Sequence, residues 1–191
     1  MNKKVMVGGK IRSMRESKMM EIETLAERAQ LPVEQVRAIE EDNLLPGLAP
    51  LIKIARVLGV RLGTFLDDAQ GVGAVVTRAS DPKDAVSFTN HSAAGNDSMI
   101  YQSLSEGKEN RHIEPFVIDV MPVANQQYAL SSHEGEEFIY VLEGEIEIVY
   151  GKQVYTLSKG DSIYYDSIVK HHVHGIADKS AKILAVVYAP C

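Results

Sequence analysis

Three residues in the C-terminal half combine types and spacings that suit a metal ion, namely His133, Glu137 and His171. His133 and Glu137 are four positions apart, and the apolar run 138–142 that follows them predicts a β-strand. Residues an even number apart on a strand point to the same face, so both side chains and Ser131 should point the same way. Two imidazoles and one carboxylate on one side of a metal suit Fe(II) and leave positions for a substrate or O₂. The pattern therefore predicts a metal centre, either of an enzyme or of a sensor.

The elements that must position this centre are strands. Short β-type runs separated by turn residues follow one another from Met99 to Tyr188, and one of them, 127–130, directly precedes the metal motif. Many strands at this spacing predict an all-β sandwich or barrel. A strand after Gly160-Asp161 is expected to bring His171 to the centre. His172 and His174 have the opposite parity, so we expect them to face outward, with His174 as a reserve ligand.

The two metal motifs resemble those of cupin domains. They read His133-x3-Glu137-x6-Gly144 and Gly160-Asp161-x9-His171, and the resemblance covers about residues 98–190. It implies a barrel of two sheets whose mouth often holds a divalent metal, here iron or zinc. The alternative is a metal-free barrel with a polar interior, in which His133 and Glu137 hydrogen-bond each other and water. Ser131 stands where cupins usually have one more histidine ligand. The resemblance therefore implies a reduced metal set of His133, Glu137 and His171, with one coordination position left open.

Before the linker the pattern is helical. Apolar residues recur three and four positions apart, as in Val33, Val36 and Ile39. Five apolar stripes of this kind, with breaks at 31–32, 42–47 and 59, predict five short helices, with about three residues between the second and the third. This spacing is typical of a helix-turn-helix. The fold class predicted for the chain is thus an all-α five-helix bundle followed by an all-β barrel, in the domains 1–68 (helical), 69–97 (linker and first strands) and 98–191 (barrel).

The helical region resembles the phage-repressor (XRE, Cro/C1-type) helix-turn-helix over residues 9–67, on segments such as Leu25-Ala-Glu-Arg-Ala29 and Leu51-x-x-Ile54-Ala55-x-x-Leu58-Gly59. The family binds operator DNA as a dimer, with its third helix in the major groove. The residues expected at the DNA are Pro32, Val33, Glu34, Arg37, Ala38, Asn43, Lys10 and Arg12.

Two features depart from that family. The third helix carries one cation, Arg37, while Glu34, Glu40 and the neighbouring acids are expected to face a polyanion. A helical bundle that no longer binds DNA is therefore an alternative, although Glu can accept a hydrogen bond from cytosine. Gln30 stands in the turn where the family usually has glycine, so it is expected to hold a strained backbone.

Charge distribution and composition indicate which part of the chain is expected to contact nucleic acid and in which compartment the protein is expected. Residues 1–69 hold 11 Lys/Arg and 10 Asp/Glu, net +1, whereas residues 70–191 hold 9 and 16, net −7. Nucleic-acid contacts are therefore expected only in the first part. No apolar stretch approaches the ~20 residues of a membrane span. The N-terminus lacks the apolar core of a secretion signal, and the only cysteine is Cys191, so we expect a cytoplasmic protein without an intrachain disulfide.

Two functions fit these features. The order helix-turn-helix then cupin resembles bacterial transcription regulators, in which the cupin senses an unknown small molecule and a homodimer or higher homo-oligomer binds an operator. The same order resembles hydroxypropylphosphonate epoxidase, a non-haem iron enzyme, and there Tyr101 matches a substrate-contacting tyrosine and Lys18 could help to bind the phosphonate. In either case we expect Ser131, Tyr101 and Tyr140 to contact a ligand. The regulator is the favoured interpretation because the repressor pattern extends over all five helices.

Overall fold

The computed structural model describes residues 7–43, 46–66, 74–79, 86–92, 95–108, 111–122, 128–176 and 179–190, with side chains outside 86–98. In these ranges five helices are followed by nine strands, which confirms the predicted fold class. Much of the predicted linker, residues 69–73 and 80–85, lies outside the described residues. None of the described helices is both long and apolar enough to cross a membrane.

The helices pack around one apolar core. Their bounds are α1 Val7–Ser17, α2 Ile22–Ala29, α3 Val33–Glu40, α4 Leu48–Leu58 and α5 Gly63–Leu66. The predicted apolar stripes point inward, because Ile11, Leu25, Ile54 and Phe65 are fully buried. Burial of such side chains contributes about 1.5–3 kcal/mol each. The short gap at 30–32 holds α2 and α3 at the close spacing of a helix-turn-helix.

Gln30 adopts a left-handed backbone, with φ 54° and ψ 47°, which agrees with the strained backbone predicted for it. Its N–H donates to the carbonyl oxygens of Ala26 and Glu27, so it ends α2 in the way that a glycine usually ends a helix. Gly59 does the same for α4 with φ 62°. A residue with a Cβ pays about 1 kcal/mol for this conformation, which the tight turn into α3 imposes on Gln30.

The strands form two antiparallel sheets. Their bounds are β1 Val86–Ser92, β2 Gly95–Ser103, β3 Ile113–Val120, β4 Glu136–Glu143, β5 Glu145–Tyr150, β6 Gln153–Ser158, β7 Ser162–Asp166, β8 His171–Gly175 and β9 Ala181–Tyr188. The larger sheet has the order β1-β2-β3-β9-β4-β7 and the smaller one β6-β5-β8. Alternate residues such as Ile139, Val141, Ile148 and Ile183 are buried. The predicted run 127–130 is not a strand where it is described, at 128–130.

The helical and barrel regions touch at a domain junction. Arg56 of α4 pairs with Glu134, in the loop before β4. At the start of α5, a Cβ atom placed on Gly63 would lie 2.4 Å from Nη2 of Arg111 and 2.7 Å from Oε1 of Glu114. Gly63 therefore lets the Arg111–Glu114 ion pair of the barrel lie directly against the helical region.

Candidate metal centre

His133, Glu137 and His171 come together as predicted, and together they could hold a metal ion. One ligand atom from each lies within 4.8 Å of the other two, and all three residues are buried. Oε1 of Glu137 is 2.8 Å from Nε2 of His133 and 3.5 Å from Nε2 of His171. The two imidazole rings are nearly perpendicular, at 81°. Two nitrogens and one carboxylate oxygen therefore converge on a single point.

The loop before β4, and not a continuous strand, positions His133. β4 begins only at Glu136, and the backbone of Gly135 has φ 109°. His133 N–H donates to the carbonyl of Ser167, and Ser167 N–H donates to the carbonyl of Gly135. A Cβ on Gly135 would come within 1.9 Å of the carbonyl oxygen of Tyr188, so only glycine fits. The prediction that His133 and Glu137 share a strand is wrong, although their side chains do meet.

Backbone carbonyls orient both imidazoles. Nδ1 of His133 lies 3.0 Å from the carbonyl oxygen of Glu134, and Nδ1 of His171 lies 2.8 Å from that of Val169. A carbonyl oxygen can only accept, so each Nδ1 carries the proton. Each Nε2 faces Glu137, so it donates a hydrogen bond to that carboxylate when the ring is doubly protonated and presents a lone pair to a metal when the ring is neutral. Outer contacts of this kind orient the histidine ligands of metal sites.

Two hydroxyl groups hold the carboxylate of Glu137. Tyr165 donates to Oε2 at 2.8 Å, and Ser167 donates to Oε1 at 3.1 Å. Burial by itself would raise the pKa of Glu137, but hydrogen bonds with His133 and His171 outweigh it and hold this pKa below its usual range. Burial, and next the negative charge of Glu137, raise the pKa of Tyr165. Glu137 is therefore a carboxylate, and Tyr165 remains a neutral donor.

Burial and the neighbouring Glu137 also change the pKa of His171. Burial by itself would lower the pKa of His171, yet the hydrogen bond and the charge of Glu137 outweigh burial and raise it. With its Nδ1 proton committed to a carbonyl, Nε2 meets the carboxylate either with a second proton or across a cation. A divalent metal supplies that positive charge, so the donor set fits a metal of the kind that imidazole and carboxylate ligands bind.

The predicted ligand contacts divide between the inside and the outside of the barrel. Tyr101 is buried in the interior beside Phe116, and burial, and next the charge of Glu137, raise the pKa of Tyr101. Ser131 exchanges backbone hydrogen bonds with His171, and its hydroxyl donates to the His171 carbonyl. Tyr140 is 39% exposed on the opposite face of β4 from Glu137. The structure therefore does not bring Tyr140 to the centre.

His172 and His174 are buried, which corrects the expectation that they face outward. They do point away from His171, but Tyr128 covers that face, with its ring stacked 4.4 Å from His172 and 5.4 Å from His174. Glu147 lies 3.4 Å from Nε2 of His174. The alternation of side chains along a strand correctly predicted that His172 and His174 point away from His171. It contains no information about which segment packs against them.

Sequence reasoning missed the two hydroxyl donors, Tyr165 and Ser167. Tyr165 lies directly opposite Glu137 in the β4–β7 register, and that pairing is what brings its hydroxyl to the carboxylate. A partial signal was available, because the run Ser162–Asp166 after Gly160-Asp161 is a strand and contains Tyr165. The partner in register, however, is set only when the sheet forms.

The predicted DNA-reading face lies on α3. Pro32, Glu34 and Arg37 are exposed, and Val33 and Ala38 are half-buried. Arg37 lies 3.5 Å from Glu34 and 3.7 Å from Glu23, so nearby carboxylates partly neutralise its charge. Arg37 and Glu34 are thus the polar groups that α3 offers to a groove.

The predicted phosphate contacts flank this face. Asn43 is exposed and donates to Glu41, Lys10 is half-buried, and Arg12 lies 3.7 Å from Glu40. Glu40 was expected to face DNA, and this is wrong: it is buried and accepts two hydrogen bonds from Arg15, at 2.7 and 2.8 Å. This buried pair ties α1 to α3 and removes one negative charge from the predicted DNA surface.

Comparison with protein families agrees with the two regions of the fold. Residues 11–65 match the helix-turn-helix family HTH_3. Residues 117–187 match the cupin domain family Cupin_2. The matches include α3 in the first region and all three centre residues in the second.

Individual relatives are of both functional kinds. The HTH-type transcriptional regulator PuuR of Escherichia coli is 22% identical over 95% of this chain and 92% of its own. The (S)-2-hydroxypropylphosphonic acid epoxidase of Streptomyces wedmorensis is 28% identical over 73% of each chain.

Similar solved structures include one of a regulator and one of the epoxidase. An HTH_3 family transcriptional regulator from Vibrio cholerae covers 98% of this chain and 97% of its own with a TM-score of 0.67, and at 21% identity this likeness shows the fold alone. A structure of the epoxidase covers 97% and 98% at 27% identity, with a TM-score of 0.51. This chain therefore carries a helix-turn-helix domain of the HTH_3 family followed by a cupin domain of the Cupin_2 family.

Proposed function

We propose that this protein is a DNA-binding transcriptional regulator whose cupin domain senses a small molecule at a metal centre. The observation that carries the proposal is that the chain has two candidate sites. α3 is exposed, with Arg37 and Glu34 on its surface, and the barrel domain, which contacts the helices, contains the buried residues His133, Glu137 and His171. A regulator needs one surface to read DNA, one site to bind the effector, and a physical connection between them.

DNA reading is assigned to α3 and its flanks. Arg37 is the cation on α3 that reaches a base edge or a phosphate, and Glu34 accepts from cytosine N4. The helical part has a net charge of only +1, so the affinity falls with salt less steeply than in strongly basic proteins. A single helix-turn-helix covers one half-site, and a homodimer presents two α3 helices about one turn of DNA, ~34 Å, apart. The exposed Tyr140 and Tyr164, on the outer face of the cupin's larger sheet, suit such a dimer contact.

The metal proposed for the centre is iron or zinc, because imidazole nitrogens suit both of these ions. When bound, such an ion supplies positive charge and open coordination positions for an oxygen of the effector. Ser131 and the buried Tyr101 would contact the effector beside the metal. The chain's own residues determine the rest: Glu137 is held as a carboxylate, and both Nδ1 protons are directed away from the centre.

The connection between effector site and reader is assigned to the pair Arg56–Glu134. Glu134 directly follows the ligand His133, and its carbonyl accepts from His133 Nδ1. Its side chain pairs with Arg56 on α4. A ligand that shifts the loop at 133–135 changes this contact, and with it the placement of the helical domain. In a dimer this alters the spacing of the two α3 helices, so one DNA-binding arrangement is favoured over another.

A mobility-shift assay with the DNA upstream of the protein's own gene tests the proposal at low salt. We expect a retarded complex that Arg37→Ala weakens and that metal removal alters. Arg28→Ala, an exposed arginine on α2 outside the reading face, is the matched control. Absence of a shift with any fragment, together with substrate turnover by the metal-loaded protein, would refute the regulator.

A second function, non-haem iron oxidation, is supported by the epoxidase likeness and by Tyr101 in the interior. In this alternative the centre holds Fe(II), and an open position accepts O₂. Against it, the side chains that contact Glu137 among the described residues are His, Tyr and Ser, whereas a phosphonate is usually bound by arginine. Oxygen uptake by the Fe(II)-loaded protein with (S)-2-hydroxypropylphosphonic acid distinguishes the two functions, because a regulator consumes none.

A further inference from the structure

A cleft of about 190 Å³ opens at the domain junction, separate from the metal centre. One wall comes from the turn before α5, with Arg61 and Leu62, and the other from the start of β3 and the end of β9, including Arg111, Ala189 and Pro190. Its volume is many times what a single ordered water needs and is smaller than that of pockets for drug-sized ligands. The cleft is therefore of a size for a small molecule.

The charges in this cleft do not balance. Arg111 and Glu114 form a buried pair, with Nε 2.7 Å from a carboxylate oxygen, and they neutralise each other. Arg61 is a second cation in the lining, and Nη1 of Arg61 is buried with no hydrogen-bond partner among the described residues. Glu114 is the only acid among the described lining residues, and it already accepts from Arg111 and Ser105. Within the part of the chain that the structure describes, one positive charge is thus left with a buried, unsatisfied donor, which is costly unless an anion meets it.

Each wall of the cleft also carries apolar residues. Leu62, which is itself buried, lies beside Arg61, and Ala189 and Pro190 lie on the wall of the barrel. A ligand that suits this lining has an anionic head for Arg61 and a short aliphatic body for the apolar residues. We propose that this cleft is a binding site for short aliphatic carboxylates, which touch both domains at once.

A ligand in this cleft also affects how the helical and barrel domains are held together. Gly63 places the α5 end of the helical domain in direct contact with the Arg111–Glu114 pair. An anion between Arg61 and the cupin wall adds a second attachment at this point. Because it contacts both walls, it stabilises the described arrangement of the domains over arrangements in which the walls separate.

Saturation-transfer NMR on the full chain, freed of metal by a chelator, tests the site with butyrate as the probe. We expect butyrate to bind, and butyramide to bind at least tenfold more weakly because it lacks the charge. Inorganic phosphate has no observable proton, so its affinity is measured by its displacement of butyrate, and we expect it to be weaker because phosphate lacks the aliphatic body. Arg61→Gln should lower butyrate affinity roughly tenfold or more, since a hydrogen bond to a charged group is lost. Arg28→Gln, outside the cleft, should leave it unchanged.

A second variant keeps the test decisive if Arg61→Gln fails to fold. Ala189→Leu places three further carbon atoms in the apolar part of the cleft and should abolish butyrate binding while the circular dichroism spectrum stays native. Butyrate binding that survives both variants, or equal binding of butyrate and butyramide, would overturn the proposal. Phosphate binding as tight as that of butyrate would also overturn it, since the apolar wall would then contribute nothing.

Discussion

Replacing Tyr165 with phenylalanine removes one oxygen atom from the support of the metal centre. Among the described residues Tyr165 is the donor to Oε2 of Glu137, at 2.8 Å and in a buried setting. The loss leaves a buried, charged oxygen without that donor, and a hydrogen bond to a charged group contributes about 1.5–3 kcal/mol. Loss of an outer contact at metal sites typically costs about 10–100-fold in affinity, which agrees with that range. We therefore expect Tyr165→Phe to weaken metal binding about 10–100-fold with little change of fold.

Competition with a chromophoric chelator measures this effect, with Zn²⁺ in air and Fe²⁺ without oxygen. The neighbouring Tyr164→Phe is the matched control: Tyr164 is 64% exposed and bonds Glu136 on the opposite face of the same strands. It should leave the metal affinity unchanged. Equal affinities of the wild type and Tyr165→Phe would refute the assignment of Glu137 as a ligand held by this hydroxyl. An equal loss in both variants would show that the effect comes from the strand and not from the centre.

Three further predictions concern stability and coupling. Gln30→Gly should stabilise the protein to thermal unfolding by about 0.5–1 kcal/mol, because glycine adopts the left-handed backbone without strain. Gly59→Ala should destabilise it by a similar amount through backbone strain alone, because the added Cβ meets no atom within 4 Å. Burial, and next the charge of His174, lower the pKa of His172 from 6.5 to about 4, so the unfolded chain binds the extra proton within that window. Stability of the metal-free protein should therefore fall by roughly 2–3 kcal/mol as the pH is lowered from 6.5 to 4, and His172→Gln should flatten this part of a urea-unfolding series. Arg56→Gln should leave metal affinity intact and reduce the effect of metal on DNA retardation, and a full metal effect in this variant would exclude the Arg56–Glu134 pair as the connection.

Much of the fold could be predicted because its determinants are local. The five helices follow from apolar residues three and four positions apart, and the resemblance to a family with glycine at this turn was enough to predict a strained backbone at Gln30. The metal residues were found by type and spacing, since a metal needs donors of particular chemistry. Glu40 shows the limit of this reasoning: an acid on α3 looks solvent-facing until the arginine of α1 that buries it is in place.

The sequence alone thus determined the order of the two domains and the three residues that meet in the candidate metal centre. Tertiary structure decided which groups surround them. Tyr165 reaches Glu137 only through the β4–β7 register, Tyr128 covers His172 only because a distant segment packs there, and Tyr140 faces away from the centre. The contact of Arg56 with Glu134 joins residues 78 positions apart. Such pairings depend on how sheets and domains pack, and no periodicity within a single segment contains that information.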